Sequence, residues 1–200
     1  MTATSITIRN YDKHAKLYAS VSYNILMQYQ LNLFVGYLQG KRVLDAGCGS
    51  GRDTEYLIGE RLKVTGIDAS AGMLKEARTK VKKGTFKKMD LAKLTFRPKS
   101  FDGIWCCAGL VHQRRSAILG ILKDFARVLA VGGVLYASVK EGQGEGYAPS
   151  KKLGGAKVWV SHFSQVEFEE LVNDAGFELL RCFTDKSQST TWINLFARKR

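Results

Sequence analysis

The residues best placed by type and spacing to do chemistry lie in the run Val43-Leu44-Asp45-Ala46-Gly47-Cys48-Gly49-Ser50-Gly51-Arg52-Asp53. Three glycines at alternate positions follow an apolar, strand-like stretch and precede a helix-like one. Glycine lets the chain turn sharply and lets a ligand lie against bare backbone. An acid ends each of the next two apolar runs: Asp68 after Gly66-Ile67, and Asp90 after Met89. A carboxylate at the second strand end can accept two hydrogen bonds from a ribose diol, and one at the third can receive the exocyclic amine of an adenine. Three such acids on one sheet edge describe an adenosine site. The Gly-x-Gly-x-Gly spacing departs from the dinucleotide pattern Gly-x-Gly-x-x-Gly, and Asp45 directly before it would repel a pyrophosphate. A cationic ligand suits that acid better.

Bringing these acids to one edge requires a particular order of elements. Strand-like runs near 42–46, 63–67, 84–89, 101–107 and 133–139 alternate with helix-like runs near 52–60, 71–82, 115–130 and 165–175. That alternation predicts an α/β fold, a mostly parallel sheet with helices on both faces. Two closing strands, near 177–184 and 190–198, are separated only by Asp185 to Ser189, too short for a helical crossover, so the last strand should run antiparallel. Ser164 with Glu167 fits a capping box, and Gly132-Gly133 marks the expected end of the third helix. Aromatic and aliphatic residues at helical intervals (Tyr11, Ala15, Tyr18; then Leu26, Tyr29, Leu33, Tyr37) predict two helices before the first strand, an N-terminal helical cap within residues 1–40. Residues 140–163, with five glycines between 140 and 158 and Pro149, read as a long mobile loop on the substrate side.

Composition sets the outer limits. Two hundred residues, 45% of them apolar and 24% charged, make a single globular domain, 1–200. The longest apolar-and-small stretch, Ile104 to Val111, is far shorter than the ~20 residues of a membrane-spanning helix. No signal-type run opens the chain, which predicts a cytoplasmic protein with no membrane contact. The four cysteines lack Cys-x-x-Cys spacing, which argues against a structural zinc and predicts no metal. Lys and Arg number 31 against 18 Asp and Glu, a net charge of +13. Residues 75–99 hold ten basic and two acidic residues, a local +8 that leaves +5 for the other 175. This basic flank is either a solvated lysine-rich face or a docking surface for RNA or another anionic partner.

These motifs resemble the class I S-adenosylmethionine-dependent methyltransferases. Asp45 to Gly51 looks like their first motif, Asp68 their second, Asp90 their third, and Phe101-Asp102-Gly103-Ile104-Trp105-Cys106-Cys107-Ala108 their fourth. The likeness covers about residues 8 to 198. A narrower likeness, to small single-domain members whose substrates are unassigned, rests on Tyr11-Asp12-Lys13-His14-Ala15, on Gly51-Arg52-Asp53 and on the ending from Trp192 to Arg198. The resemblance implies a Rossmann-like sheet of seven strands in the order 3-2-1-4-5-7-6. It also implies S-adenosyl-L-methionine as cofactor, with S-adenosyl-L-homocysteine as the product.

Carried onto this sequence, the first motif puts the cofactor against Asp45, Ala46, Gly47, Cys48, Gly49 and Gly51. The second and third motifs add Asp68 and Ala69, then Met89, Asp90 and Leu91. Met73, one helical turn past Asp68, takes the place of the family's hydrophobe on the adenine face, or serves the core. Cys106 and Cys107 are read as small wall-forming residues beside the methionine part. The proline that precedes the nucleophilic cysteine of cytosine C5 methyltransferases is replaced here by Trp105, and no Pro-Pro amino-methyltransferase signature is present. His112, just after the fourth strand, is the candidate catalytic base and substrate contact, or a structural histidine. Tyr11 should close over the cofactor and Tyr18 over the substrate, with Trp159, His162 and Trp192 lining the acceptor pocket.

The leading expectation is transfer of a methyl group to an oxygen, nitrogen or sulfur of a small molecule by a monomer or weak homodimer. Two competitors stand beside it: an RNA methyltransferase using the 75–99 flank, and a non-catalytic cofactor-binding partner subunit.

Overall fold

The computed structural model describes residues 3–187 and 189–200. Its elements run α1 (Ala3–Lys13), α2 (Ala15–Ser22), α3 (Gln28–Tyr37), β1 (Arg42–Ala46), α4 (Arg52–Gly59), β2 (Lys63–Asp68), α5 (Ala71–Lys80), β3 (Thr85–Lys88) and β4 (Phe101–Cys106). They continue with α6 (Arg115–Val128), β5 (Leu129–Glu141), β6 (Glu145–Pro149), β7 (Lys157–Phe163), α7 (Gln165–Asp174), β8 (Phe177–Ser187) and β9 (Thr190–Lys199).

Parallel pairing runs β3-β2-β1-β4-β5. On its other side β5 takes β9 antiparallel, and β9 takes β8. The seven expected strands therefore stand in the order 3-2-1-4-5-7-6, with the last antiparallel. Alternate strand residues enter two cores. One, under α6 and α7, holds Leu44, Ile104, Cys106, Phe125, Ala137 and Phe168. The other, under α3 and α4, holds Phe34, Val43, Leu57, Trp105, Tyr136 and Phe196.

Three expectations need correction. The N-terminal segment forms three helices, starting at Ala3, because the chain breaks at His14 (φ −109°, ψ 19°) and again between Ser22 and Gln28. Gly132-Gly133 lies inside β5 and does not end a helix. Helix α6 stops at Val128, and Gly132 (φ +74°) falls where the register of β5 shifts against β4 between Phe101 and Gly103. Residues 140–163 are no loop: β6 and β7 pair antiparallel from Glu145↔Ser161 to Pro149↔Lys157, and β7 also pairs Lys140↔His162 and Glu141↔Phe163 with the end of β5. The glycines serve the turns, with positive φ at Gly142, Gly144, Gly154 and Gly155. The capping box is half formed. Ser164 Oγ accepts from Glu167 N at 3.2 Å, while the Glu167 carboxylate goes to Arg115 instead. Among the described residues no helix is long and apolar enough to cross a membrane, and no group of three or more His, Cys, Asp or Glu could hold a metal.

Candidate functional site

The turn from β1 into α4 carries positive φ at Gly47 (+83°), Gly49 (+53°) and Gly51 (+86°), the region that favours glycine. Its first three amides are bonded within the protein. Gly47 N and Cys48 N both donate to the Ile67 carbonyl, at 2.8 and 2.9 Å, and Gly49 N donates to Asp68 Oδ2 at 3.0 Å. A phosphate-binding loop points such amides at its ligand, so this turn is shaped to pass close to a ligand rather than to bind an anion.

Acids ring the turn. Asp45, 2% exposed, accepts from Thr54 Oγ1 at 2.5 Å, and burial, then the nearby Asp53 charge, pushes its carboxyl upward. Asp68 also accepts from Ser70 N at 2.8 Å, and burial raises it to about 6 despite its backbone donors. Asp90 Oδ1 caps its own turn through Ala92 N at 3.0 Å. The three expected acids thus stand at the C-terminal ends of adjacent strands. Gly47, Gly49, Asp68, Ala69, Met89 and Asp90 remain partly exposed along that edge. A cationic, adenosine-bearing ligand fits this set: the partly exposed carboxylates of Asp68 and Asp90 beside bare glycine backbone.

Other predicted contacts turn elsewhere. Cys48 packs with Leu74, Ala77 and Phe86 in a small core behind α5, so only its backbone belongs to the turn. Ala46 and Cys106 are wholly buried, Leu91 nearly so, all in the α6-side core. Met73 is 1% exposed, and its Cε lies where a Cβ on Gly49 would touch it, at 3.4 Å. Cys107 faces the site beside Arg52 (Nη2 to Sγ 3.8 Å), with its thiol pushed up to about 12 chiefly by burial, so it stays protonated. Arg52 is itself clamped on Asp53, whose second oxygen also accepts from Trp105 Nε1 at 2.9 Å.

Over this edge sits a cap that the sequence only half disclosed. Asp12 Oδ1, exposed on α1, accepts from Ser70 Oγ at 2.6 Å and Gly72 N at 2.8 Å, docking the helix onto the start of α5. Gly72 is required there, because a Cβ would lie 2.7 Å from the Asp12 carbonyl oxygen. Thr7 Oγ1 accepts from Trp159 N at 2.8 Å, and Asn10 Nδ2 donates to the Lys157 carbonyl at 2.7 Å, tying α1 to β7. Leu153, Val158 and Val160 form the apolar centre of the cap, against Tyr11 and Tyr18.

At its heart Tyr11 Oη lies 2.9 Å from His112 Nε2, and His112 Nδ1 lies 2.7 Å from the Trp159 carbonyl oxygen. A carbonyl only accepts, so Nδ1 carries the proton and Nε2 presents its lone pair to the tyrosine hydroxyl. Burial lowers His112 to about 4, and raises Tyr11 and Tyr18. Imidazole and phenols are therefore all neutral near pH 7. The expected role of Trp159 changes accordingly. Its carbonyl reaches the site, whereas its ring packs against Tyr147 (5.3 Å) and under Arg114 (4.6 Å). His162 lies at the junction of β5 and β7, and Trp192 beneath Lys140 (5.8 Å).

Residues 43–133 match the family described as "Methyltransferase domain". A malonyl-acyl-carrier-protein O-methyltransferase from Enterobacter lignolyticus is 34% identical over 94 residues, 47% of this chain and 37% of that protein. The chain spans less than half the length of the first curated relatives it matches. Among solved structures, a Methanosarcina mazei S-adenosylmethionine-dependent methyltransferase superposes with a TM-score of 0.74 at 24% identity, covering 84% of this chain and 96% of that one. The cyclase SpnF superposes with a TM-score of 0.76 at 18% identity, covering 99% and 96%. Residues 43–133 are thus similar to a methyltransferase domain, and the strand order is the fold of solved S-adenosylmethionine-dependent methyltransferases.

Proposed function

We propose that this chain is a single-domain enzyme that transfers the methyl group of S-adenosyl-L-methionine to an oxygen, nitrogen or sulfur of a small molecule, with α1, α2 and the β6–β7 hairpin as the cap over the acceptor. The observation that carries this is the glycine turn, whose Gly47, Cys48 and Gly49 amides are committed to Ile67 and Asp68 and whose rim is acidic. Asp68 would hold the ribose, Asp90 the adenine amine and Met73 the adenine face. Gly47 and Gly49 would leave room for the methionine part beside Cys107. Bound there, the cofactor supplies an electrophilic methyl that needs chiefly a nucleophile held in line. His112 meets that need as a neutral acceptor. An acceptor hydroxyl or amine that replaced the Tyr11 hydroxyl would find the Nε2 lone pair already aimed by the Trp159 carbonyl. With its pKa near 4, His112 orients such a group more than it stores its proton.

The name of the Enterobacter relative, an O-methyltransferase, supports a methyl-transfer reading. That of SpnF, a cyclase, is why activity has to be measured. S-adenosylmethionine or S-adenosylhomocysteine should raise the melting temperature, and Asp68→Ala should abolish the shift, since each charged hydrogen bond lost costs ~1.5–3 kcal/mol. Stabilisation by NAD in their place would falsify the reading.

A second reading, RNA as acceptor, is favoured by one observation: none of the ten cations of residues 75–99 takes part in an ion pair among the described residues. It requires salt-sensitive RNA binding. The flank lies on α5, the edge strand β3 and the loop beyond, at the adenine end, so the small-molecule reading stands first.

A further inference from the structure

On the outside of the cap, a large apolar side chain stands in water at every fourth position from residue 17 to 29. Among the described residues eight large apolar side chains are exposed, and four of them are Leu17, Val21, Ile25 and Tyr29. The others, Val131, Tyr147, Val166 and Leu179, are scattered over β5, β6, α7 and β8, as isolated surface apolar residues ordinarily are. Helix α2 packs inward through Ala15, Ala19 and Ser22, which leaves Leu17 and Val21 one turn apart on its outer side. Its bonding runs on past Ser22: Tyr23 N donates to the Ala19 carbonyl and Ile25 N to the Ser22 carbonyl, both at 3.2 Å, so Ile25 follows directly. Tyr29, in the first turn of α3, has its ring centre 5.8 Å from that of Phe183. A run of exposed apolar side chains of this kind marks an interaction surface.

Cations border the stripe along its length. At one end Leu17 Cδ2 lies 3.4 Å from where a Cβ on Gly154 would stand, next to the turn Lys151–Leu153, and Lys152 Nζ is 5.9 Å from the Tyr18 ring centre. In the middle Lys80 Nζ, on α5, is 4.3 Å from the Tyr23 ring centre. At the far end the Arg181 guanidinium is 5.8 Å from that of Tyr29. Helix α2 packs against both α5 and the Lys151–Leu153 turn, and residues 11–30, 75–83 and 151–157 together hold ten Lys or Arg. Their two acids are Asp12, bonded to Ser70 and Gly72, and Glu76 on α5. Of the acids brought in by other segments, Glu55 accepts from Tyr23 Oη at 2.8 Å, and Asp185 from Gln30 and Asn194. The border is therefore strongly basic.

We propose that the outer side of α2, with the Lys151–Leu153 turn and the start of α3, is a docking surface for a membrane that contains anionic phospholipid, whatever reaction proceeds beneath the cap. Charge and apolarity together select this occupant. A second copy of the chain would bring +13 against +13. RNA would meet the cations but not three aliphatic side chains. An anionic bilayer meets both, with hydrocarbon beneath a layer of negative head groups. Lysine side chains can keep their ammonium groups at head-group level while apolar neighbours reach deeper. The expectation of no membrane contact rested on the lack of a spanning or signal segment, which docking on the surface does not require.

The intact protein is sedimented with sucrose-loaded vesicles of phosphatidylcholine alone, and of phosphatidylcholine mixed with phosphatidylserine. Wild type should bind the mixed vesicles far better than the neutral ones, and less tightly as salt rises. Val21→Ser and Ile25→Ser should each weaken binding about fivefold, because each side chain is about half exposed and has that half to bury. Lys80→Gln should weaken it about fivefold as well, through the loss of one charge near the head groups. Val166→Ser, an equally apolar change on the exposed side of α7, should leave binding as it is. Melting temperatures equal to that of wild type confirm that these surface variants are folded. The proposal is overturned if wild type ignores the mixed vesicles, if Val21→Ser and Ile25→Ser bind them as well as wild type, or if Val166→Ser loses as much. Binding of single-stranded RNA with no binding of vesicles also overturns it and gives the cations to the RNA reading. A wild-type dimer in sedimentation velocity that Ile25→Ser dissolves overturns it too, and gives the stripe to a second copy.

Discussion

The glycine turn and the cap meet at the start of α5, where Asp12 docks on Ser70 and Gly72, and are specified in different ways. In the turn, every decisive contact is local or between neighbouring strands: Gly47, Cys48 and Gly49 bond to Ile67 and Asp68 about twenty residues on, and Thr54 reaches back to Asp45. In the cap, contacts join residues far apart in sequence, such as Asn10 with Lys157, Thr7 with Trp159, Tyr11 with His112 and Asp12 with Ser70. A short-range site can be fixed by backbone conformation alone. A long-range one exists only while two remote segments stay docked, so it is the part expected to open first.

The contrast breaks most visibly at Gly51. Its φ of +86° disfavours any side chain, and a Cβ would stand 3.1 Å from Val81 Cγ2 and 3.2 Å from Ala77 Cβ. Strain plus overpacking should make Gly51→Val cost ~3–5 kcal/mol in chemical denaturation. Gly154, in the hairpin turn with φ +64°, has only Leu17 Cδ2 near, at 3.4 Å. Gly154→Val should cost clearly less, ~1–2 kcal/mol, from backbone strain alone. Equal losses at the two sites would mean that the cap is as tightly specified as the turn.

The next effect is a pH dependence lodged in the cap. His112 titrates near 4 in the fold against an ordinary 6.5. Between those values the unfolded chain binds a proton that the native protein refuses. The associated stability is therefore complete above pH 6.5 and falls as pH drops towards 4, by up to ~3 kcal/mol. Asp45 acts in the opposite sense: raised by burial, it stabilises while protonated and loses that contribution as pH rises. Comparing unfolding free energies of wild type and His112→Gln from pH 7.5 to 4 cancels the Asp45 part. The variant should show a flatter acid limb, and parallel curves would remove His112 as its source.

The same division explains what was legible in the sequence. Val43 to Asp53, Asp68 and Asp90 could be placed because strand ends, positive-φ glycines and helix starts leave local signatures, and the seven sheet strands followed from their periodicity. Residues 140–163 were misread because their glycines satisfy turn geometry while the pairing partners of β6 and β7 lie in one another and at the end of β5, which composition does not reveal. Trp159, read from the sequence as lining the acceptor pocket, turns its carbonyl to His112 while its ring packs against Tyr147, since strand register decides which atoms face which neighbour. Cys48 and Cys106 sit on backbone that borders the site while their thiols enter the cores. Motif adjacency marks a position along the chain, not the direction of its side chain.

The smallest predicted effect tests whether the cap and the turn communicate. Asp12 is exposed, yet its carboxylate accepts from Ser70 Oγ and Gly72 N at the start of α5, and Ser70 N in turn donates to Asp68. An acid there also meets the positive end of the helix dipole. Removing it in Asp12→Ala leaves those donors open to water, so global stability should fall by only ~1 kcal/mol. Amide exchange should speed up in α1 and at Ser70 to Met73 while β1 and β4 stay protected. With the cofactor placed as proposed, dissociation of S-adenosylhomocysteine should quicken severalfold, because Asp12 is the side chain that bonds α1 to the turn carrying Asp68. Exchange that rises evenly through β1 and β4 would mean that cap and turn unfold together, and that the short-range and long-range halves of the site are one cooperative unit.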